Sequence, residues 1–189
     1  SGNEFSAFFG QSYRLDQEDN PFPNGSGLEN KTSDAVGQLN ASFDDNKHNL
    51  NYRFALDGED LSSKRHEIYG ATQIHDTSLV AAYLFEKRAR GTQFTESREQ
   101  IRAYVGQKIN ENWSVSTSAL YDIGDDSGLR ESSLGIGYDD DCFGMTVTVE
   151  RDLQSDKSGA SDTSILARLR LKNLGEFETT AYSASSGDD

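Results

Sequence analysis

Among 189 residues the sequence has one cysteine, one methionine, one tryptophan and two prolines. A lone cysteine closes no internal disulfide, so Cys142 has an intermolecular partner, a partner elsewhere in a longer parent chain, or an inert thiol. No apolar run approaches the ~20 residues of a membrane helix, which excludes helical insertion. A membrane barrel stays open, because only alternate residues of its strands meet lipid. Just 34% of the residues are hydrophobic and the mean hydropathy is -0.73, less than a soluble core of this size normally has. Basic residues are scarce beside acidic ones, 18 against 32, and the net charge of -14 disfavours nucleic acid as a partner. The opening SGNEFSAFF has neither a basic segment nor an apolar core, so a signal peptide is not expected there. The chain is then expected to be a cytosolic protein or a piece of a longer one. Low hydropathy and high charge also suit disorder, but eight Tyr, ten Phe and so few prolines argue against it.

What is present is alternation. Leu50, Tyr52, Phe54 and Leu56 share one parity against Asn49, Asn51, Arg53 and Asp57, the period of a strand with one apolar face. The same plan recurs at Phe143, Met145, Val147 and Val149 and at Ile165, Ala167, Leu169 and Leu171, and about ten such runs follow one another. The first is expected over about Asn3 to Arg14. The fifth, about Thr77 to Ala89, is apolar enough around Leu79 to Phe85 to suit a helix as well. The sixth is expected over Glu96 to Lys108, and the tenth closes near Lys172.

The connections alternate in length. Those after runs 2, 4, 6 and 8 take about two to four residues, and those after runs 1, 3, 5, 7 and 9 are longer. Short turns at one rim and long loops at the other are the plan of an outer-membrane barrel, which Greek-key crossings give no reason to produce. Aromatic residues near run ends (Tyr13, Trp113, Tyr121, Tyr138, Phe143) suit an interfacial girdle. The reading is all-β: an antiparallel transmembrane β-barrel segment over residues 1–175 with a polar C-terminal tail over 176–189. It is preferred to a soluble sheet with one wet face, which would alternate too.

Few residues suggest chemistry. His48 and His75 fall at short turns and His66 near the opposite rim on the apolar parity, so no serine, histidine and acid are expected to gather. Asp139, Asp140 and Asp141, like Asp125 and Asp126, carry calcium-type oxygen ligands without the spacing of a dedicated loop. Solvated turn carboxylates are the expectation, with no metal, no cofactor and no enzymatic activity. Arg168, Arg170 and Lys172 form a cationic row on the polar parity of the tenth run. Such a row either meets phosphates, which Arg grips with two prongs, or pairs with neighbouring carboxylates. The excess of acid favours the second.

GQSYRL at Gly10 to Leu15, SGL at Ser26 to Leu28, SDAVG at Ser33 to Gly37, and YDDDCFGMTVTVERDL followed by LARLRLKNLG resemble the C-terminal barrel region of the LptD (OstA/Imp) lipopolysaccharide-assembly family. The resemblance implies the last ten or so strands of a larger barrel in the outer membrane of a Gram-negative bacterium. That barrel inserts lipopolysaccharide (LPS) into the outer leaflet. It implies as partners the lipid A head group, an LptE-like lipoprotein plug, outer-membrane lipid, and a periplasmic LPS-transport bridge reached through an N-terminal domain outside this sequence. It implies a lateral seam whose last strand is about Ser164 to Lys172, and a disulfide from Cys142 to a cysteine outside this chain. The family commonly has two adjacent cysteines there, and Asp141-Cys142 matches only the second. The rival is a self-contained ten-stranded outer-membrane barrel acting as a pore, adhesin or surface enzyme.

Overall fold

In a computed structural model the described residues are 2–15, 21–23, 26–87, 97–124, 127–153, 161–172 and 175–186. The elements are all strands: β1 Glu4–Gly10, β2 Ala35–Phe43, β3 His48–Leu56, β4 Ser63–Ile74, β5 Thr77–Glu86, β6 Arg98–Lys108, β7 Trp113–Asp122, β8 Gly128–Asp139, β9 Phe143–Asp152, β10 Ser161–Leu171 and β11 Gly175–Ser186. They form one sheet in strict sequence order, antiparallel in every register described. This is the architecture of a β-barrel segment, as the alternation implies.

The connections follow the expected plan. By the strand bounds, the connections over 44–47, 75–76, 109–112, 140–142 and 172–174 are two to four residues long, and those over 11–34, 57–62, 87–97, 123–127 and 153–160 are five or longer. In the first turn Asp44, Asp45 and Asn46 all adopt left-handed backbone (φ 51°, 53° and 70°), which Asp and Asn tolerate best after glycine.

The structure differs from the sequence reading in places. Eleven strands occur among the described residues, and β11 occupies most of the expected polar tail. Phe177 and Tyr182 lie five apart, so the segment shows no period of two. The reason is a bulge: Ile165 pairs with Tyr182 but Leu166 pairs with Thr180, leaving Ala181 as an extra residue. β1 stops at Gly10, four residues short of Arg14. Beyond it Ser12 and Ser33 exchange hydrogen bonds, and Tyr13 makes only an isolated bridge to Thr32. β5 is a strand, because β4 and β6 on its two sides take up its backbone groups. The expected run ends at Ala89 and Glu96, the Asp125-Asp126 pair and tail residues 187–189 lie outside the described residues.

The chain divides into two compact units, Ser1–Ala71 with Ala82–Ile101 and Ile123–Asp126, and Thr72–Ala81 with Arg102–Asp122 and Ser127–Asp189. In the first, β2 lies between β1 and β3, setting Ala7, Leu39 and Tyr52 in one row and Phe5, Ala41 and Leu50 in the next. Phe54 lies across Gly37, where any Cβ would overlap its ring. In the second, Trp113, Tyr138 and Phe143 pack in a row at the short-turn end, Trp113 edge-on to Tyr138 and Tyr138 tilted against Phe143, with ring centres 5.0 and 5.4 Å apart.

Neither unit builds a soluble core. Ala35 and Leu120 are the only buried apolar side chains among the described residues. Leu39, Leu50, Leu134 and Ile136 are each about half exposed on the apolar face (49, 50, 60 and 50%). A sheet with that face in water would forfeit most of its hydrophobic stabilisation.

Candidate functional site

The polar face of the second unit carries the cationic row. The register aligns Ser114, Gly137, Thr146 and Arg168 across β7 to β10, and Asp139, Gly144 and Arg170 one row nearer the short turns. Glycines alternate with small polar residues there because a Cβ on Gly137 would come within 2.7 Å of the Ser114 hydroxyl, and one on Gly144 within 2.7 Å of Asp139 Oδ2. Above this low floor lies a recess of about 410 Å³ lined by Lys108, Asn112, Asp139, Thr146, Arg168 and Arg170 among others.

Arg170 and Lys172 both pair with a carboxylate. Arg170 Nη2 donates to Asp139 Oδ2 and Lys172 Nζ to Asp139 Oδ1, both at 2.8 Å. Arg168 lines the recess. The same face pairs Arg102 with Glu131 at 3.1 Å and Arg130 with Asp122 at 3.7 Å. Chemically the recess presents guanidinium and ammonium donors to anionic oxygens, held in place by carboxylates that a phosphate would have to displace.

Cys142 is a free, exposed thiol in the turn 140–142. Its own N–H and that of Phe143 donate to Asp140 Oδ1 at 2.7 and 2.9 Å, and its carbonyl accepts the Lys172 N–H at 3.1 Å. The Phe143 and Cys142 N–H bonds hold the Asp140 carboxyl below the usual carboxylate range. Asp140 is therefore a turn-closing residue and Asp139 an ion-pair partner. No cluster of metal-ligating side chains occurs among the described residues.

At the long-connection end of the first unit, Lys64 gathers Asp34, Asp57 and Glu29 at 2.7, 3.1 and 3.8 Å, fastening the β1–β2 link to the β3–β4 link. Sequence reasoning missed this knot, since its members lie in three separate segments. It missed a second one too. His66 Nε2 bonds the Ser63 hydroxyl and Nδ1 the Tyr52 hydroxyl, both at 2.8 Å, so a serine and a histidine do meet, with a phenol in the third place.

With this geometry established, comparison with known proteins decides the lineage. Residues 1–113 match the family LPS transport system D, LptD. The chain belongs to the LptD family. Within the family it is similar to the LPS-assembly protein LptD of Acinetobacter baumannii, 32% identical over 98 residues, or 49% of this chain and 12% of that protein. The aligned part thus spans about an eighth of the relative's length. No solved structure matches.

Proposed function

We propose that this chain is a C-terminal part of an LptD translocon barrel that inserts LPS into the outer leaflet of a Gram-negative outer membrane. The observation that carries the reading is the pairing of family membership with a sheet whose exposed face is apolar and whose links alternate in length. On this reading the apolar face meets outer-membrane lipid, the polar face lines the lumen beside an LptE-like plug, and the short turns lie at the periplasmic rim. The bridge that supplies LPS joins through an N-terminal domain of the parent protein. The last strand that this chain offers to a lateral seam is β11 rather than Ser164 to Lys172.

Cys142 then sits at the oxidising rim, exposed, as a disulfide to a cysteine outside this chain requires. Non-reducing mass spectrometry of the whole protein is expected to find it bonded, and a free thiol would reject the assignment. Arg170 and Lys172 meet lipid A phosphates only where phosphate replaces Asp139, and Arg168 lines the same recess. Unchanged LPS crosslinking after Arg168→Gln and Arg170→Gln would reject that role.

The function itself is tested by depleting the protein in its own bacterium. LPS is expected to leave the cell surface and accumulate at the inner membrane in density fractions. Normal surface LPS after depletion, or a protein absent from the outer-membrane fraction, overturns the proposal.

A further inference from the structure

The apolar face of the first unit is not flat. Ala7 and Ala41 are small residues set diagonally among Phe5, Leu39, Leu50 and Tyr52. Between these larger side chains runs a groove of about 810 Å³ that continues past Ile68 and His66 to Tyr83. From β1 to β5 it crosses four inter-strand spacings, roughly 19 Å at ~4.8 Å each. Phe5 and Leu50 lie toward the short turn 44–47, whereas His66 and Tyr83 lie toward the long links 57–62 and 87–97.

Ser6 and Asn40, which also border the groove, are of the opposite parity and bond each other; the polar side chains Tyr52, His66 and Tyr83 lie toward that second end, and there they are satisfied within the protein. Tyr52 and Ser63 hold the two His66 nitrogens, and the Tyr83 hydroxyl donates to Glu99 Oε1 at 2.7 Å. Mutual satisfaction is what polar groups need beside hydrocarbon, where water is missing.

We infer that this groove holds one acyl chain of a lipid from the leaflet on the long-link side, with the lipid's polar group beside Tyr52, His66 and Tyr83. The inference rests on the reading that this face meets the membrane, and specifies a bound lipid where that reading gives only a general lipid surface. The groove is continuous with the exposed apolar face, being walled by Leu39, Leu50 and Ile68. Its one polar end and long apolar body match an amphiphile. Across β2, β3 and β4 an extended peptide would find no open backbone edge to pair with, because each has a strand on both sides, and only β1, at the groove's end, is a sheet edge.

The test uses the protein as it is made in the cell, reconstituted in vesicles of phosphatidylethanolamine and phosphatidylglycerol. A photoreactive benzoylphenylalanine replaces Leu39 in the groove or, as reference, Ile136 on the apolar face of the other unit. The Leu39 site is expected to saturate at one lipid adduct per chain and to exceed the reference. Filling the groove with Ala41→Trp is expected to lower the Leu39 yield about tenfold, the equivalent of about two methylenes losing contact, and to leave Ile136 unchanged. Ala7→Leu, a smaller filler that spares folding, acts in the same direction. Equal yields at both sites, indifferent to filling, overturn the inference while sparing the membrane reading. A protein adduct at Leu39 assigns the groove to a protein partner and overturns it as well. No lipid adduct at either site overturns both.

Discussion

Arg170 reaches Asp139 by passing over Gly144, so β10 is tied to β8 across the one residue of β9 that leaves room for it. Gly144 is buried, and a Cβ there would stand 2.7 Å from Asp139 Oδ2 and 3.4 Å from Arg170 Nη2. Asp139 also takes Lys172, whose backbone N–H donates to the Cys142 carbonyl. The glycine, the ion pairs and the turn carrying the cysteine therefore act as one unit.

Gly144→Ala and Asp139→Asn are accordingly expected to weaken the same contact, and the double variant to be no worse than the worse single one. The pair is about half exposed, so global stability moves little. The sensitive readout is amide exchange at Lys172, expected to quicken several-fold in either variant. Additive effects, or protection unchanged at Lys172, would show that the contact does not hold the turn.

Gly37 and Phe54 make an analogous pair on the apolar face. Gly37→Ala has to displace the Phe54 ring and is expected to cost about 1 to 3 kcal/mol, the range for overpacking. In a Phe54→Ala background the same change should cost little, because the obstructing ring is gone. A double-mutant cycle by urea unfolding in lipid measures the difference, and equal costs in both backgrounds would refute the packing explanation.

Asp57 and Asp140 both lie in links between strands, and both carboxyls are held below their ordinary 3.8. At Asp140 the Phe143 and Cys142 N–H groups are responsible. At Asp57 it is the Glu59 N–H first and the Lys64 ammonium second. A lowered folded value means that each contribution is complete above about 3.8 and is lost as pH falls through the lowered value. Lys64→Gln is expected to raise Asp57 part of the way to 3.8, with the Glu59 bond keeping it below, and to leave Asp140 alone. Carbon-13 carboxyl titration separates the two groups. An unmoved Asp57 would mean that Lys64 does not act on it.

The strands were legible wherever period two ran unbroken, as in Leu50 to Leu56 or Phe143 to Val149, because each side chain's face follows from its parity alone. β11 was not, since the extra residue Ala181 shifts the parity halfway along. The cationic row was legible as a row, but its capture by Asp139 depends on two hairpins lying side by side, which spacing along one strand does not encode. The Ser63–His66–Tyr52 chain escaped for a similar reason, since Ser63 and His66 lie on β4 and Tyr52 on β3.

Leu120 gives the sharpest contrast between pattern and structure. It shares a parity with Ser114, Ser116 and Ser118, so alternation alone makes serine the natural residue there and Leu120→Ser harmless. In the structure it is only 8% exposed. It lies where Arg130 is the extra residue of β8, because Leu120 pairs with Glu131 and Tyr121 with Leu129. Arg130 turns to Asp122, and Arg102 meets Glu131, the residue paired with Leu120, so ion pairs neighbour a buried leucine on the polar parity. Leu120→Ala is therefore expected to cost about 2 to 3 kcal/mol, as for a buried leucine, and Leu120→Ser at least as much, since its hydroxyl adds a desolvation cost. Urea unfolding of the two variants in lipid decides between the accounts, and a neutral Leu120→Ser would return the position to the wet lumen surface that its parity suggests.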